Sequence, residues 1–257
     1  MGVTSIFLDT KVPVTEFTKN ISDFILPSVF SGMPKYDADW LGKYYFGDST
    51  SKLLATSDYS DQGNNLNPSG DVILNGGYLI ADQDNYFDSG IKAPIKFSIA
   101  LTVERPENSA TIQWVTGNFQ GYGSSGAGWA VCIVSGTVKL YNQLQGGSLY
   151  SVSIDIPSSV SVGQKMAITC YVSGSTITIS VYDPSQSKIL YNVVNSVHKA
   201  DEKSILIGAK YSNNNDLKSK IKTILILNGD IGEATASSST TGSAAHNELC
   251  SYLLTID

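Results

Sequence analysis

Charge is scarce in this chain of 257 residues. Charged side chains make up 16% of it, below the roughly 25% usual for soluble domains, so its polarity comes from Ser, Thr, Asn and Gly. Surfaces of neutral hydroxyls and amides suit extracellular or particle-bound proteins. Arginine occurs once, at Arg105, and the net charge is -6. Neutralising nucleic-acid phosphates needs clustered cations, so a DNA or RNA partner is excluded. Cysteine is also sparse. The three present, Cys132, Cys170 and Cys250, are an odd number in a long chain, and the first two sit inside apolar runs, where free thiols serve as small core residues. The two histidines, His198 and His246, lie in polar segments expected to be loops, with none of the zinc-ligand spacings. No Gly-x-Ser-x-Gly elbow accompanies them. No apolar window approaches the roughly 18 residues of a membrane span. Met1 to Val14 has neither the basic start nor the apolar run of a secretory signal, and Ile6 stands where a myristoylation pattern wants Ser or Thr. Such a chain is expected either to have been trimmed or to leave the cell by lysis or assembly.

What the sequence has in abundance is strand. From Gly76 to Asn228 the segments Tyr86 to Ile91, Ile95 to Glu104, Ala110 to Thr116, Gly128 to Leu140, Tyr150 to Ile156, Lys165 to Val172, Ser175 to Tyr182, Ile205 to Ala209 and Ile221 to Leu227 follow one another with almost no helical signal. An all-β fold, a two-sheet antiparallel sandwich, is predicted. Trp129, Val131 and Ile133 share one face of their strand and Ala130, Cys132 and Val134 the other, so both faces are apolar and the strand is central. In Ser175 to Tyr182, Ile177, Ile179 and Val181 alternate with Thr176, Thr178 and Ser180, the pattern of a half-exposed strand. Asn75-Gly76-Gly77 between two apolar runs marks a hairpin, and Ser173-Gly174 marks a second turn between antiparallel partners. Trp114 and Trp129 fall within strands and are read as core.

The ends differ from the middle. Phe17, Ile21, Phe24 and Ile25 fall at i, i+4, i+7 and i+8, the stripe of a short amphipathic helix that Pro27 stops. The stripe suits either a helix packed on its own domain or an arm that docks on a partner or on symmetry mates. Trp40 to Gly47 is aromatic-rich and reads as a first strand. Residues 1 to 65 are taken as an anchoring and assembly segment and 66 to 257 as the sandwich domain. Ala234 to Ala245 is nearly all small residues and reads as a surface loop. After it, Leu249, Tyr252 and Leu253 fit a short closing helix, while Leu253 to Ile256 also fits a strand.

Few residues carry chemistry. A glycosidase needs two carboxyl groups about 5–5.5 Å or 6.5–9.5 Å apart across a cleft, yet no glutamate has an acidic partner two positions away on a strand, and Glu104 and Glu107 flank the turn at Arg105-Pro106. No catalytic residue and no metal ligand are assigned. No cofactor is expected; calcium stays an open alternative at the oxygen-rich loops Asp82 to Asn85 and Asn213 to Asp216, which lack EF-hand spacing and also read as plain turns. Sugar binding asks for less: an aromatic face for the apolar side of the ring, with amides and carboxylates beside it. The segments Asn118 to Gly126 and Tyr211 to Asn215 hold both, and they name Asn118, Tyr122, Tyr211, Asn213 and Asn214 as candidate ligand-binding residues, against an alternative reading as ordinary exposed loops.

The order of Gly77-Tyr78-Leu79, Tyr86 to Ile91, Phe97 to Val103, Gly128-Trp129-Ala130-Val131, Gly163 to Thr169, Val172 to Ile177, Ile205 to Gly208 and Lys220 to Asn228 resembles the concanavalin A-like lectin and glucanase superfamily, especially its laminin-G-like and pentraxin-like jelly rolls. The resemblance covers residues 70 to 257. It implies a jelly-roll sandwich that binds glycans or proteins or hydrolyses polysaccharides. Behind an unrelated N-terminal arm, such a module also looks like the tail-fibre, tailspike and head-decoration proteins of bacteriophages. The expectation is therefore a non-enzymatic virion protein that attaches to host-surface glycans, with other virion proteins and its own copies as partners, no membrane partner, and Phe17, Ile21, Phe24 and Ile25 serving assembly. The alternatives are a polysaccharide-degrading enzyme of the same superfamily and a free protein-interaction module.

Overall fold

The computed structural model describes residues 29–34, 39–47, 52–122, 126–144, 146–200, 202–211, 217–231 and 244–256. In chain order the strands are β1 (Trp40–Tyr45), β2 (Asn67–Ser69), β3 (Ile73–Asn75), β4 (Tyr78–Ala81), β5 (Tyr86–Lys92), β6 (Phe97–Glu104), β7 (Gln113–Gly117), β8 (Gly128–Val134), β9 (Thr137–Gln143), β10 (Leu149–Asp155), β11 (Lys165–Val172), β12 (Thr176–Asp183), β13 (Lys188–Asn195), β14 (Ser204–Ile207) and β15 (Ser219–Leu227). Two helices accompany them, α1 (Lys52–Thr56) and α2 (Ala244–Thr255). The strands form a sandwich of two antiparallel sheets. The first runs β13-β12-β11-β6-β15-β4-β3, with β1 also paired to β15, and the second runs β10-β9-β8-β7-β14-β5-β2.

Period-two alternation builds the core between the sheets. Phe97, Ile99, Leu101 and Val103 of β6 face Trp129, Val131 and Ile133 of β8 in one buried cluster. The opposite side of β8 is covered too, since Ala130 and Cys132 pack with Trp114 and Phe119, as a strand apolar on both faces requires. All three cysteines are buried thiols outside any disulfide. The hairpin at Gly76-Gly77 forms with Asn75 opposite Tyr78, and both glycines have positive φ, the left-handed pair that a two-residue hairpin turn demands.

Several expectations change. Gly128 to Leu140, expected as one strand, is the hairpin β8–β9, turning at Ser135 and Gly136 with φ of 51° and 76°. Strand β13 was not anticipated at all. Strand β1 and Phe46 lie inside the span expected to anchor the chain, yet β1 pairs with β15 from Trp40 to Tyr45 and Tyr44 and Phe46 enter the main core. Strand β12 is not half-exposed, because Thr178 and Ser180 are buried. His246 is in helix α2 rather than a loop.

Helix α2 explains the last two changes. It lies on the outer face of the first sheet, where Leu249, Leu253 and Ile256 meet Tyr45, Ala100, Leu225 and Leu227. Three polar contacts set its position. The Asn247 side-chain oxygen accepts from the Ile189 amide at 2.8 Å, Lys165 Nζ donates to the Ile256 carbonyl at 2.6 Å, and His246 Nε2 meets Thr169 Oγ1 at 2.7 Å. Thr169 in turn donates to Ser180 Oγ at 3.1 Å. Residues 29–34 complete the cover: Phe30 joins the same cluster, and Tyr252 donates its hydroxyl proton to the Val29 carbonyl at 2.7 Å.

Candidate functional site

The end of β7, the start of β8, the end of β9 and the segment entering β14 converge at one end of the sandwich. Between them opens a cleft of about 430 Å³, lined by Asn118, Gln120, Ala127, Gly128, Gln143, Leu144, His198, Lys199, Ala200, Glu202 and Lys203. The loop from β7 to β8 begins by prolonging the ladder, with Asn118 N donating to Trp129 O and Gln120 N to Ala127 O, both at 2.8 Å. Asn118 then ties the wall together. Its Oδ1 accepts from Trp129 N at 2.9 Å and its Nδ2 donates to Lys203 O at 3.3 Å. Gly128 permits this arrangement: its φ is 92°, and a Cβ there would lie 2.5 Å from Asn118 Oδ1.

His198 sits in the cleft wall as a neutral ring. Asn142 directs both of its Nδ2 protons to Ser196 Oγ and Val197 O, each at 2.8 Å, so its Oδ1 is left to accept the proton on His198 Nδ1 at 3.1 Å. Burial pushes the imidazole down to about 4, against a backbone hydrogen bond at Pro94 that raises it. The ring also packs edge-on to Phe97 at 5.5 Å, and Phe97 lies 4.8 Å from Trp129. His198 lies in a loop, as expected, between β13 and β14, and its ring forms part of the cleft wall.

Beside the cleft stands an aromatic group. Phe119 stacks on Tyr141 with centroids 6.1 Å apart and on Trp114 at 6.3 Å. Tyr122 stands perpendicular to both partners, 5.2 Å from Phe119 and 6.1 Å from Tyr141, and is 50% exposed. The Tyr141 hydroxyl is held well above the ordinary phenol range by burial, with Cys132 and Tyr122 adding to the effect. Lys210 is fully buried, its Nζ 4.8 Å above the Trp114 ring. Tyr211 closes the group: its amide donates to Phe119 O at 3.0 Å, its hydroxyl meets Ser204 Oγ at 2.8 Å, and Lys203 Nζ lies 5.6 Å over its ring.

The structure therefore brings Asn118 and Tyr122, which the sequence offered from one loop, together with Tyr211 from another. Asn118 lines the cleft with its amide engaged by backbone, and Tyr122 presents an open ring. Asn213 and Asn214 lie outside the described residues, as do Phe17, Ile21, Phe24 and Ile25. Sequence reasoning missed Gln120, Gln143, Lys199, Glu202 and Lys203. The available signal was the run His198 to Lys203, a knot of charge in a charge-poor chain. Chemically, the cleft offers hydrogen-bond donors and acceptors beside an aromatic edge, and Glu202 is its one carboxylate among the described lining residues. The Asp82 to Asn85 loop closes on itself instead: Asp82 Oδ1 accepts from Asp84 N at 3.0 Å, Asn85 N at 2.9 Å and Asn85 Nδ2 at 2.9 Å. Among the described residues no helix is long and apolar enough to cross a membrane.

No family model matches the chain, and no curated protein does. Solved structures do. The receptor binding domain of botulinum neurotoxin D superposes with a TM-score of 0.55 at 14% identity, over 83% of this chain and 52% of that one. The botulinum neurotoxin type G receptor binding domain gives 0.56 at 12%, over 84% and 51%. The receptor binding domain of the C/D mosaic serotype gives 0.54 at 13%, over 83% and 51%. This chain spans about half the length of the structures it matches. At these identities the likeness is one of fold, a β-sandwich shared with domains named for receptor binding.

Proposed function

We propose that this protein is a non-catalytic attachment module that binds a cell-surface saccharide in the cleft between the β7–β8 loop and the segment entering β14. The observation that carries this reading is the pairing of an open polar cleft with the upright, half-exposed ring of Tyr122 beside it. Small-ligand sites fall at roughly 300–1,000 Å³ and use a few placed polar groups; the cleft, at about 430 Å³, holds the last unit or two of a glycan. Structural neighbours named as receptor binding domains support the same reading.

The proposal extends to context. The module serves on a virion, as a fibre or decoration protein, with the Phe17, Ile21, Phe24 and Ile25 stripe assembling copies of the chain and holding them to the particle. In support, the described chain joins the sandwich at residues 29–34 on the outer face of the first sheet, while the cleft is built from loops and strand ends of the second. Binding to a glycan array, repeated with Gln120→Ala and Lys203→Ala, tests the site. Saccharide binding that survives both changes would remove the cleft from consideration. Light scattering with and without residues 1–28 tests assembly, and a monomer in both cases would overturn it.

A further inference from the structure

Helix α2 carries a histidine at the end least suited to a cation. His246 is its third residue, in the first turn, where the backbone presents the positive pole of the helix dipole. The side chain is 5% exposed, laid against the outer face of the first sheet by its bond to Thr169. We infer that α2 is an acid-released strap: a proton taken up by His246 lifts the helix from that face while the sandwich beneath stays folded. Burial holds the imidazole down to about 4, so the released helix takes the proton more readily than the docked one, and acid favours release.

The hydrogen bonds fix where the proton goes. Thr169 gives its own hydroxyl proton to Ser180 Oγ at 3.1 Å, so the 2.7 Å contact is a donation from His246 Nε2–H to Thr169 Oγ1. Acid therefore adds its proton at Nδ1 and creates a cation between neutral hydroxyls and the positive pole of the helix. The far end of α2 is arranged the other way, with Lys165 donating to the Ile256 carbonyl at 2.6 Å, where a cation is favoured. Acid thus works on the N-terminal end of the strap.

The charged and titratable groups around the ring are committed elsewhere or face water. On β11, Tyr171 shares the face of Thr169, and Asp230 acts on that phenol. On β12, Asp183 takes hydrogen bonds from Ser159, Ser185 and Gln186, and its register partner on β13 is Lys188. Tyr182 and Tyr191 bring phenols, not carboxylates. Glu104 of β6 meets Lys220 at 2.6 Å. Lys43 of β1 lies over the Trp40 ring with Asp58 and Asp61 beside it. On α2 itself, Glu248 is exposed, and burial pushes the Cys250 thiol up. Against release stand the contacts of Leu249 and Leu253 with Ala100, Leu225 and Leu227, an apolar face that the strap uncovers as it lifts.

The test is hydrogen exchange of the whole chain, read peptide by peptide between pH 7.5 and pH 5 and corrected for the intrinsic effect of pH on exchange. With 6.5 for the released ring and about 4 for the docked one, release should be about thirtyfold more frequent at pH 5. The amides of α2 should quicken by that factor through local opening, while those of β6 and β8 stay protected. The Gly32 amide, which donates to the Tyr252 hydroxyl, should follow α2. In His246→Gln the change should stay below about threefold, since no ring remains to titrate. If that variant does not fold, the unaltered protein still decides, because the rise should begin near pH 6.5 and fall on α2. Equal protection of α2 at both pH values would overturn the strap, as would a rise that survives His246→Gln or one shared by α2 and β6 as a single unit. Acceleration centred on Val197 would assign the effect to His198 and overturn it too.

Discussion

The amide of Tyr211 donates to the carbonyl of Phe119 at 3.0 Å, and that one bond links the loop after β14 to the loop between β7 and β8. Phe119 in turn backs Tyr122 at 5.2 Å, so the exposed ring is held by the body of the protein. Tyr122→Ala is expected to weaken saccharide binding by about tenfold, or 1.4 kcal/mol. The thermal midpoint should move little, because half of this side chain already faces water. Tyr122→Phe keeps the ring and should keep most of the affinity. Calorimetric titration of the two variants decides this, and equal binding by Tyr122→Ala and the unaltered protein would show that the ring takes no part.

Gly128 gives a different kind of test. With φ at 92° and the Asn118 side chain and carbonyl 2.5 and 2.6 Å from where a Cβ would stand, Gly128→Ala must strain the backbone or push Asn118 out of the wall. The expected cost is about 1–3 kcal/mol in urea unfolding, with loss of binding as the bond to Lys203 breaks. A variant as stable as the original would mean that the loop accommodates the change by moving.

Acid should destabilise the fold through its two histidines. Burial lowers both His198 and His246 to about 4, from 6.5 in the unfolded chain. Between those values the unfolded chain binds more protons than the folded one, so stability is full above pH 6.5 and falls as pH drops toward 4. At pH 5 each histidine should cost about 2 kcal/mol. His246→Gln keeps a neutral polar group near Thr169 and should remove about half of the loss between pH 7 and 5. Urea titrations at the two pH values measure it. An unchanged pH slope in this variant would clear His246 of the effect.

The sandwich was legible wherever both the period and the turns were local. Trp129 to Val134 announced a central strand because each of its faces is covered by a different cluster, and Gly76-Gly77 could close little else than a hairpin. Strand β13 was not legible. It mixes Ile189, Leu190 and Tyr191 with exposed Asn192 and Val193, since it is a sheet edge, held to the neighbouring β10 by Asn192 Nδ2 donating to Ser153 O at 3.1 Å. Burial of Ser180 could not be read from β12 either, because Thr169, which donates to it, is met by His246 of α2, far along the chain. The site failed for the same reason. Asn118 meets the carbonyl of Lys203 across 85 positions, and although the run His198 to Lys203 stands out for its charge, nothing local in it shows that the exposed Lys199, Glu202 and Lys203 border a cleft.

The contact between residues 29–34 and α2 determines where an assembly segment can be cut. Tyr252 donates to Val29 O at 2.7 Å and receives the Gly32 amide at 3.3 Å, while Phe30 meets the Tyr59 ring edge-on at 5.8 Å and is 5% exposed. Removing residues 1–28 leaves these contacts intact, so the thermal midpoint should stay close to that of the whole chain even if the oligomer falls apart. Removing residues 1–34 takes Phe30 from its cluster and leaves Leu227, Ile231 and Leu253 partly uncovered. Loss of a buried aromatic side chain costs about 3–5 kcal/mol, enough to lower the midpoint by several degrees and to make the protein prone to association through its apolar face. Tyr252→Phe isolates the polar part of the contact and should cost about 1 kcal/mol. Thermal unfolding of the three proteins separates the effects. If the cut after residue 34 melts with the cut after residue 28, the segment is a passive strap, and the outer face of the first sheet is held by α2 alone.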